Sequence, residues 1–316
     1  MKTSKSKYPS PQKDYMVVIK CFTYNHGKHI EETLKGFVMQ KTNFPFCALV
    51  VDDFSSDDTA QILRQYEKQY PEIIKGVYLL ENYYSQGGIK REKTEITSPW
   101  FARCKYIAFC EGDDYWTDPL KLQKQVDFLE ANPDYVVCSH HFDLYDESTK
   151  TFKPDWFKHI EEDFEYDLAS FVTREAWMTQ PLTVLYRSKA WDQSEYKQYN
   201  NAKDVTLFYY LLRKGKGMLL KDNMGIYRIH SEGIWSKVDK GKQTKAEMLT
   251  AMGVYDVHKD RSSAMLLANS AYRFPGIEFF KENGELYRRA LKIIYKELGI
   301  KWWWKFIKKT CNPNRK

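Results

Sequence analysis

Residues 104–119 read C-K-Y-I-A-F-C-E-G-D-D-Y-W-T-D-P, and the order of residue types in this stretch decides the fold. Residues 106–109 form a short aromatic and aliphatic run, as expected of a buried strand. The run ends on a turn rich in carboxylates, Glu111-Gly112-Asp113-Asp114. Asp118 as N-cap and Pro119 as first helical residue then start a helix that would bury Leu122, Val126 and Leu129. Outward from this strand, turn and helix the same alternation repeats. Residues 16–19 read as a first strand, and Ile30, Leu34, Phe37 and Val38 share one face of the helix after it. Residues 48–51 are a second strand, and Ser56, Asp57 or Asp58 can cap a helix carrying Ile62, Leu63 and Tyr66 that ends before Pro71. Residues 76–80 and 135–139 read as further strands. Short strands alternating with helices predict an α/β class built on a mainly parallel sheet.

The rest of the chain is read more coarsely. Residues 140–180 are polar and aromatic and are expected to be loops and short elements. Residues 183–186 read as a strand, 205–212 as a helix, and 217–229 as two short strands around a K-D-N turn. From about residue 241 the sequence is charged and helix-forming. The predicted organisation is a basic polar tail over 1–13, an α/β domain over 14–240, and a helical C-terminal region over 241–316 with a basic, Trp-rich end.

Composition narrows the class. Of 316 residues, 43% are hydrophobic and 29% charged, enough for a packed core and unlike a disordered or collagen-like chain. The net charge of +7 is uneven. Residues 1–13 carry four lysines and 301–316 carry six Lys or Arg, with no acid in either, which leaves 14–300 at −3. A nucleic-acid binder would carry its positive charge on the folded face, so no nucleic-acid partner is expected. The long uncharged stretch between Lys41 and Asp52 is broken by Asn43 and Pro45, well short of the roughly 20 apolar residues that span a bilayer. The N-terminus lacks the apolar centre of a signal peptide, and the expectation is a cytoplasmic protein. The six cysteines form no C-x-x-C pair, and neither zinc nor disulfides are expected.

In open α/β sheets functional side chains gather at the carboxyl ends of strands. Three clusters fall there: Thr23-Tyr24-Asn25-His26, Asp52-Asp53-Phe54-Ser55 and Glu111-Gly112-Asp113-Asp114. Five acids converging on one sheet edge repel unless a cation or hydrogen-bond donors offset them. A hard divalent ion such as Mg²⁺ or Mn²⁺ suits carboxylates and keeps positions open for substrate phosphates. No P-loop and no G-x-G-x-x-G follows the first strand, so phosphates would be held mainly through metal.

Four pieces of sequence together resemble a known family: C-F-T-Y-N-H-x-x-x-I-x-E-T-L at 21–34, V-D-D-F-S-S-D-D-T at 51–59, E-G-D-D-Y-W-T-D-P-L-K-L-Q at 111–123, and Y-R-I-H-S-E-G-I-W-S at 227–236. They resemble the family-2 glycosyltransferases with the GT-A fold, of the type that builds bacterial surface polysaccharides, over roughly residues 14–236. The resemblance implies a GT-A, Rossmann-like α/β fold, a mostly parallel mixed sheet flanked by helices, with a helical C-terminal extension. It implies a metal-dependent, inverting, hexosyltransferase-like enzyme that moves a sugar from a nucleotide-sugar donor to a hydroxyl of a saccharide or lipid-linked acceptor. Thr23, Tyr24 and Asp53 match positions that contact the base and ribose. Glu111, Gly112 and Asp113 occupy the D-x-D metal motif with Glu at its first place, and either Asp113 or Asp114 is the direct ligand of Mn²⁺ or Mg²⁺. Asp204 matches the catalytic base, and His230 a residue near the donor diphosphate.

Ordinary readings compete at several positions. Ser56 and Asp57 serve as turn and cap residues, Asp204 precedes an amphipathic helix as an N-cap would, and Arg228 either contacts diphosphate or pairs with a carboxylate. Trp302-Trp303-Trp304 with Lys301, Lys305, Lys308 and Lys309 either packs on the domain or lies against anionic lipid at the cytoplasmic face of the membrane. Two other functions share the α/β frame. A nucleotidyltransferase acting on sugar phosphates would show a Gly-rich basic loop where C-F-T-Y-N-H stands. A non-catalytic scaffold would have lost Asp113, Asp114 or Asp204, and all three are present.

Overall fold

The structure, a computed structural model, describes residues 8–85, 89–173, 178–231, 233, 238–272 and 281–304. The chain divides into two compact units, one made of 1–165, 178–191 and 215–229, the other of 166–177, 192–214 and 230–316.

The first unit is a mixed sheet flanked by helices. In chain order its elements are β1 (Tyr15–Thr23), α1 (Ile30–Val38), β2 (Phe46–Asp52), α2 (Thr59–Gln69), β3 (Ile74–Tyr78), α3 (Ile89–Phe101), β4 (Cys104–Phe109), β5 (Tyr115–Trp116), α4 (Lys121–Ala131), β6 (Tyr135–Asp146) and β7 (Thr151–Pro154). After β8 (Phe164–Tyr166) and, in the second unit, α5 (Leu168–Thr173), the first unit resumes with β9 (Leu185–Arg187). The helices α6 (Gln193–Tyr196) and α7 (Asp204–Leu212) of the second unit precede β10 (Lys216–Ile229). The strand order is β3-β2-β1-β4-β9-β6-β10-β5. The pairs β1–β2, β1–β4, β2–β3 and β6–β10 are parallel, whereas β9 runs antiparallel to β4 and β6.

Alternation along β1 divides the core in two. Val17, Ile19 and Cys21 join Ile30, Leu34 and Phe37 of α1 on one face, while Val18 and Phe22 join Ile96 and Trp100 of α3 on the other. Ile30, Leu34 and Phe37 are fully buried, each worth about 1.5–3 kcal/mol of transfer free energy. Two polar side chains inside this core are paired with backbone carbonyls. Gln125 Nε2 donates to Cys138 O and Thr183 O, both at 2.8 Å. Arg187 donates to Tyr135 O at 2.7 Å and Asn132 O at 3.1 Å, which ties the end of α4 to the middle of the sheet.

The second unit is helical, adding α8 (Lys240–His258), α9 (Arg261–Tyr272) and α10 (Gly284–Leu298). Asp239 caps α8 by accepting from Gly241 N at 2.8 Å, and Asp260 caps α9 by accepting from Ser263 N at 2.9 Å. Residues 205–212 of α7 are all buried, which explains a helix apolar on every side. No helix among the described residues is long and apolar enough to cross a membrane.

Several local expectations are corrected. Residues 217–229 lie in one strand, β10, because register shifts between Leu220, Asn223 and Ile226 absorb the K-D-N segment without a turn. The polar stretch after residue 140 continues β6 to Asp146 and returns as β7, since His140 and His141 find partners inside: His140 Nδ1 lies 2.7 Å from His141 O and His141 Nδ1 2.7 Å from Asp155 Oδ2. Residues 181–183 form a 3₁₀ turn and the strand starts at Leu185. The helix after Pro119 begins at Lys121, with Asp118 Oδ1 accepting from Leu120 N at 2.7 Å ahead of it.

Candidate active site

The turn after β4 lies against the end of β1 because these strands are parallel neighbours with Lys20 opposite Phe109. The ladder runs on past the strand: Cys110 N donates to Lys20 O at 3.2 Å and Gly112 N to Phe22 O at 3.0 Å. Glu111 Oε2 accepts the Phe22 N–H at 3.1 Å. Gly112 is required by this approach, since a Cβ there would lie 2.5 Å from Thr23 Oγ1 and 2.8 Å from His26 Nδ1. Thr33 Oγ1 of α1 sits 2.7 Å from Asp114 O and 3.1 Å from Gly112 O, holding the turn from the helix side.

The two aspartates of this turn face different surroundings. Asp114 is buried, and its Oδ1 accepts the Arg228 N–H at 2.9 Å. Burial pushes its carboxyl well above the usual carboxylate range, and the Asp113 charge raises it further. Asp113 keeps 24% of its side chain exposed, with Oδ2 3.8 Å from His26 Nε2. Asp113 and Asp114 set two carboxylates on one turn, the second buried at the expense of its own charge, and hard oxygen donors of this kind suit a divalent cation. Arg228 pairs with carboxylates: Nη2 lies 2.7 Å from Glu32 Oε2 and Nη1 3.3 Å from Glu147 Oε1, while Nε donates to Asp113 O at 2.8 Å.

The turn after β2 uses its acids locally. Asp53 is 4% exposed, and its two oxygens accept from Tyr83 N at 3.0 Å and Tyr84 N at 3.1 Å. Ser55 Oγ donates to Asp52 Oδ1 and accepts from Asn25 N at 2.8 Å. Asn25 and Phe54 adopt positive φ, 53° and 64°, a region that asparagine tolerates better than most residues. Asp57 Oδ1 accepts from Thr59 N at 3.0 Å, and its Oδ2 from Gly27 N at 2.8 Å, so Asp57 acts as turn and cap. Thr23 Oγ1 is buried and meets no hydrogen-bond partner among the described residues, whereas Tyr24 is 43% exposed.

Thr23, Tyr24, Asp53, Glu111, Asp113 and Asp114 therefore belong to the first unit, at the carboxyl ends of β1, β2 and β4. Asp204 and His230 belong to the second. Asp204 is the first helical residue of α7, exposed, and the N-cap is Lys203. His230 is buried, and its carbonyl accepts from Gly233 N at 3.2 Å. His26, given no role by sequence reasoning, stands beside Asp113; its place right after the first strand was the available signal. Residues 232 and 234–236 of the Y-R-I-H segment, Lys305, Lys308, Lys309 and Cys311 lie outside the described residues.

Comparison with known proteins agrees with this frame. The family model described as Glycosyl transferase family 2 matches residues 17–193. An uncharacterized protein of Mycobacterium tuberculosis is 33% identical over 221 residues, 67% of this chain and 58% of that protein. The chain thus spans less than two thirds of the length of such relatives. A putative teichuronic acid biosynthesis glycosyltransferase, TuaG of Bacillus subtilis, is 31% identical over 194 residues, 61% of this chain and 70% of that one. Among solved structures, S. aureus TarS 1–349 in complex with UDP-GlcNAc aligns with a TM-score of 0.59 at 19% identity, covering 88% of this chain and 80% of that one. At that identity the likeness speaks for the fold, and the fold is GT-A.

Proposed function

The chain belongs to glycosyl transferase family 2, and from that premise we propose that it is a metal-dependent, inverting glycosyltransferase of surface-polysaccharide synthesis. It moves a hexose-type sugar from a nucleotide-sugar donor to a hydroxyl of a saccharide or lipid-linked acceptor. The observation that carries this reading is the acidic turn after β4, pressed against Thr23 and His26, with the Asp114 carboxyl buried among like charges.

Asp113 and Asp114 would hold Mn²⁺ or Mg²⁺, with the half-open Asp113 as the direct ligand and Asp114 behind it, fixed by the Arg228 N–H. A divalent ion bound there supplies neutralisation of the leaving nucleoside diphosphate. Thr23, Tyr24 and Asp53 form the nucleoside end: the exposed Tyr24 ring offers a stacking face, and Thr23 Oγ1 offers an uncommitted hydroxyl. Glu111 orients the turn through Phe22 N–H and is assigned to the ribose, and His230 is assigned to the donor diphosphate. Asp204, exposed at the start of its helix, takes the proton of the acceptor hydroxyl. The work is assigned to the cytoplasmic face of a membrane, with the basic 301–316 segment in contact with anionic lipid.

The experiment is a thermal-shift panel of UDP-, GDP-, dTDP- and CMP-sugars, each with and without Mn²⁺, on the parent and on Asp204→Asn. A ligand at a hundred times its dissociation constant stabilises by about 2.7 kcal/mol. The expected result is a Mn²⁺-dependent shift with one nucleotide, retained in Asp204→Asn while its turnover falls about 10²–10⁴-fold. Absence of any nucleotide shift would sink the donor-site reading, and near-normal turnover of Asp204→Asn would return Asp204 to its helix.

A further inference from the structure

Arg228 has a second flank, away from the acidic turn, and strand register builds a surface there. Arg228 of β10 is opposite Tyr145 of β6, and Tyr145 is opposite Phe152 of β7. Residues directly opposite across a sheet project from the same face, so guanidinium, phenol and phenyl ring stand in one row. The Tyr145 and Phe152 rings lie 4.6 Å apart, and the Arg228 guanidinium lies 5.1 Å from the Tyr115 ring centre. Glu32 and Glu147 close the row on Arg228, and these six residues line an open depression of about 500 Å³. That volume falls within the range of about 300–1,000 Å³ usual for small-molecule sites.

Charge and exposure select the occupant. The single guanidinium is buried and met by two carboxylates, so the depression carries more negative than positive charge and disfavours an anion. What remains is aromatic area, with Phe152 58% exposed, and a polar rim. Half of the Glu32 side chain and a third of that of Glu147 are exposed as acceptors, and the Tyr145 hydroxyl both donates and accepts. An apolar face ringed by hydroxyl-binding groups matches a neutral pyranose, whose C–H face is apolar and whose edge is hydroxylated. We infer that this depression binds a neutral sugar residue, as a subsite separate from the nucleotide end at Thr23, Tyr24 and Asp53. The inference rests on the glycosyltransferase reading in assigning that sugar to the acceptor chain. Arg228 connects it to the acidic turn, since the same residue donates to Asp113 O and Asp114 Oδ1.

The test is saturation-transfer NMR on the full chain with the methyl glycosides of glucose, galactose, rhamnose and N-acetylglucosamine. Saturation of sugar C–H protons is expected with at least one, falling at least fivefold in Phe152→Ala and in Tyr145→Ala and persisting in Phe152→Tyr. No transfer to any of the four, or undiminished transfer in Phe152→Ala, overturns the inference. The Mn²⁺-dependent nucleotide shift of Phe152→Ala is expected to equal that of the parent, which shows that the variant folds. If no nucleotide shifts the parent, the donor-site reading fails by itself and the sugar signals still decide the subsite.

Discussion

The turns that follow β2 and β4 flank the same strand, β1, and each sets adjacent acids at a carboxyl end, yet they use them differently. After β2, Asp53 gives both oxygens to the amides of Tyr83 and Tyr84, and Asp52 is met by Ser55. After β4, Asp114 is held above the usual carboxylate range by burial and by Asp113. Asp53 takes two backbone N–H groups, whereas Asp114 takes one and stands beside a second carboxylate, and this balance of donors against like charge decides whether an acid anchors a loop or concentrates charge. An amide that donates to a carboxylate stabilises the charged form, and burial beside a second carboxylate opposes it.

The strongest way to break this contrast is a matched pair of variants. Asp113→Asn is expected to lower turnover about 10²–10³-fold, the scale of losing one charge-stabilising group in a reacting site, and to abolish the Mn²⁺ component of the nucleotide shift. Asp53→Asn is expected to cost about 1.5–3 kcal/mol of stability, the scale of hydrogen bonds to a charged group, read by urea denaturation, with the Mn²⁺ component kept. Equal losses of turnover at unchanged stability in both variants would erase the distinction.

A smaller effect sharpens it from the helix side. Thr33→Val removes the hydroxyl that holds Gly112 O and Asp114 O, leaving buried carbonyls short of a donor at about 1–3 kcal/mol. The denaturation midpoint should fall accordingly, and a midpoint matching the parent would show that the turn holds its shape without α1.

The smallest effect concerns the core side of the β4 turn. Lys121 is fully buried, its Nζ 2.8 Å from Gln125 Oε1 and 3.9 Å from the Trp116 ring centre, and burial lowers its value from 10.5 to about 7. Below pH 7 both folded and unfolded chains carry the charge, and the cost of burying it is fully present. Between pH 7 and 10.5 unfolding takes up a proton, so stability rises with pH by at most about 1.4 kcal/mol per unit. Melting temperatures at pH 7, 8 and 9 should climb less in Lys121→Met than in the parent. Parallel curves would mean that Lys121 has a partner which keeps it charged.

How much of this was legible follows from which interactions are local. The strand 106–109 and the apolar face of Ile30, Leu34 and Phe37 announced themselves as an apolar run and a one-face period, whereas the helix over 205–212, expected as amphipathic, is buried on every side. The run through His140 and His141 did not announce itself, since the Nδ1 atoms of these buried rings meet a backbone carbonyl and Asp155, fourteen residues away from His141. The K-D-N segment looked like a turn because those residue types favour one locally, and pairing with β6 overrode that preference.

By itself the sequence determined the α/β class and the positions of the acids at the carboxyl ends of strands. These depend on residue type and spacing along the chain. Only the tertiary structure decided that Asp53 holds a loop while Asp114 is buried under Arg228. It alone set Arg228, Tyr145 and Phe152 in one row and His26 beside Asp113. The reason is that these outcomes depend on strand order and register, which join residues up to 114 positions apart and leave no periodic trace in the chain.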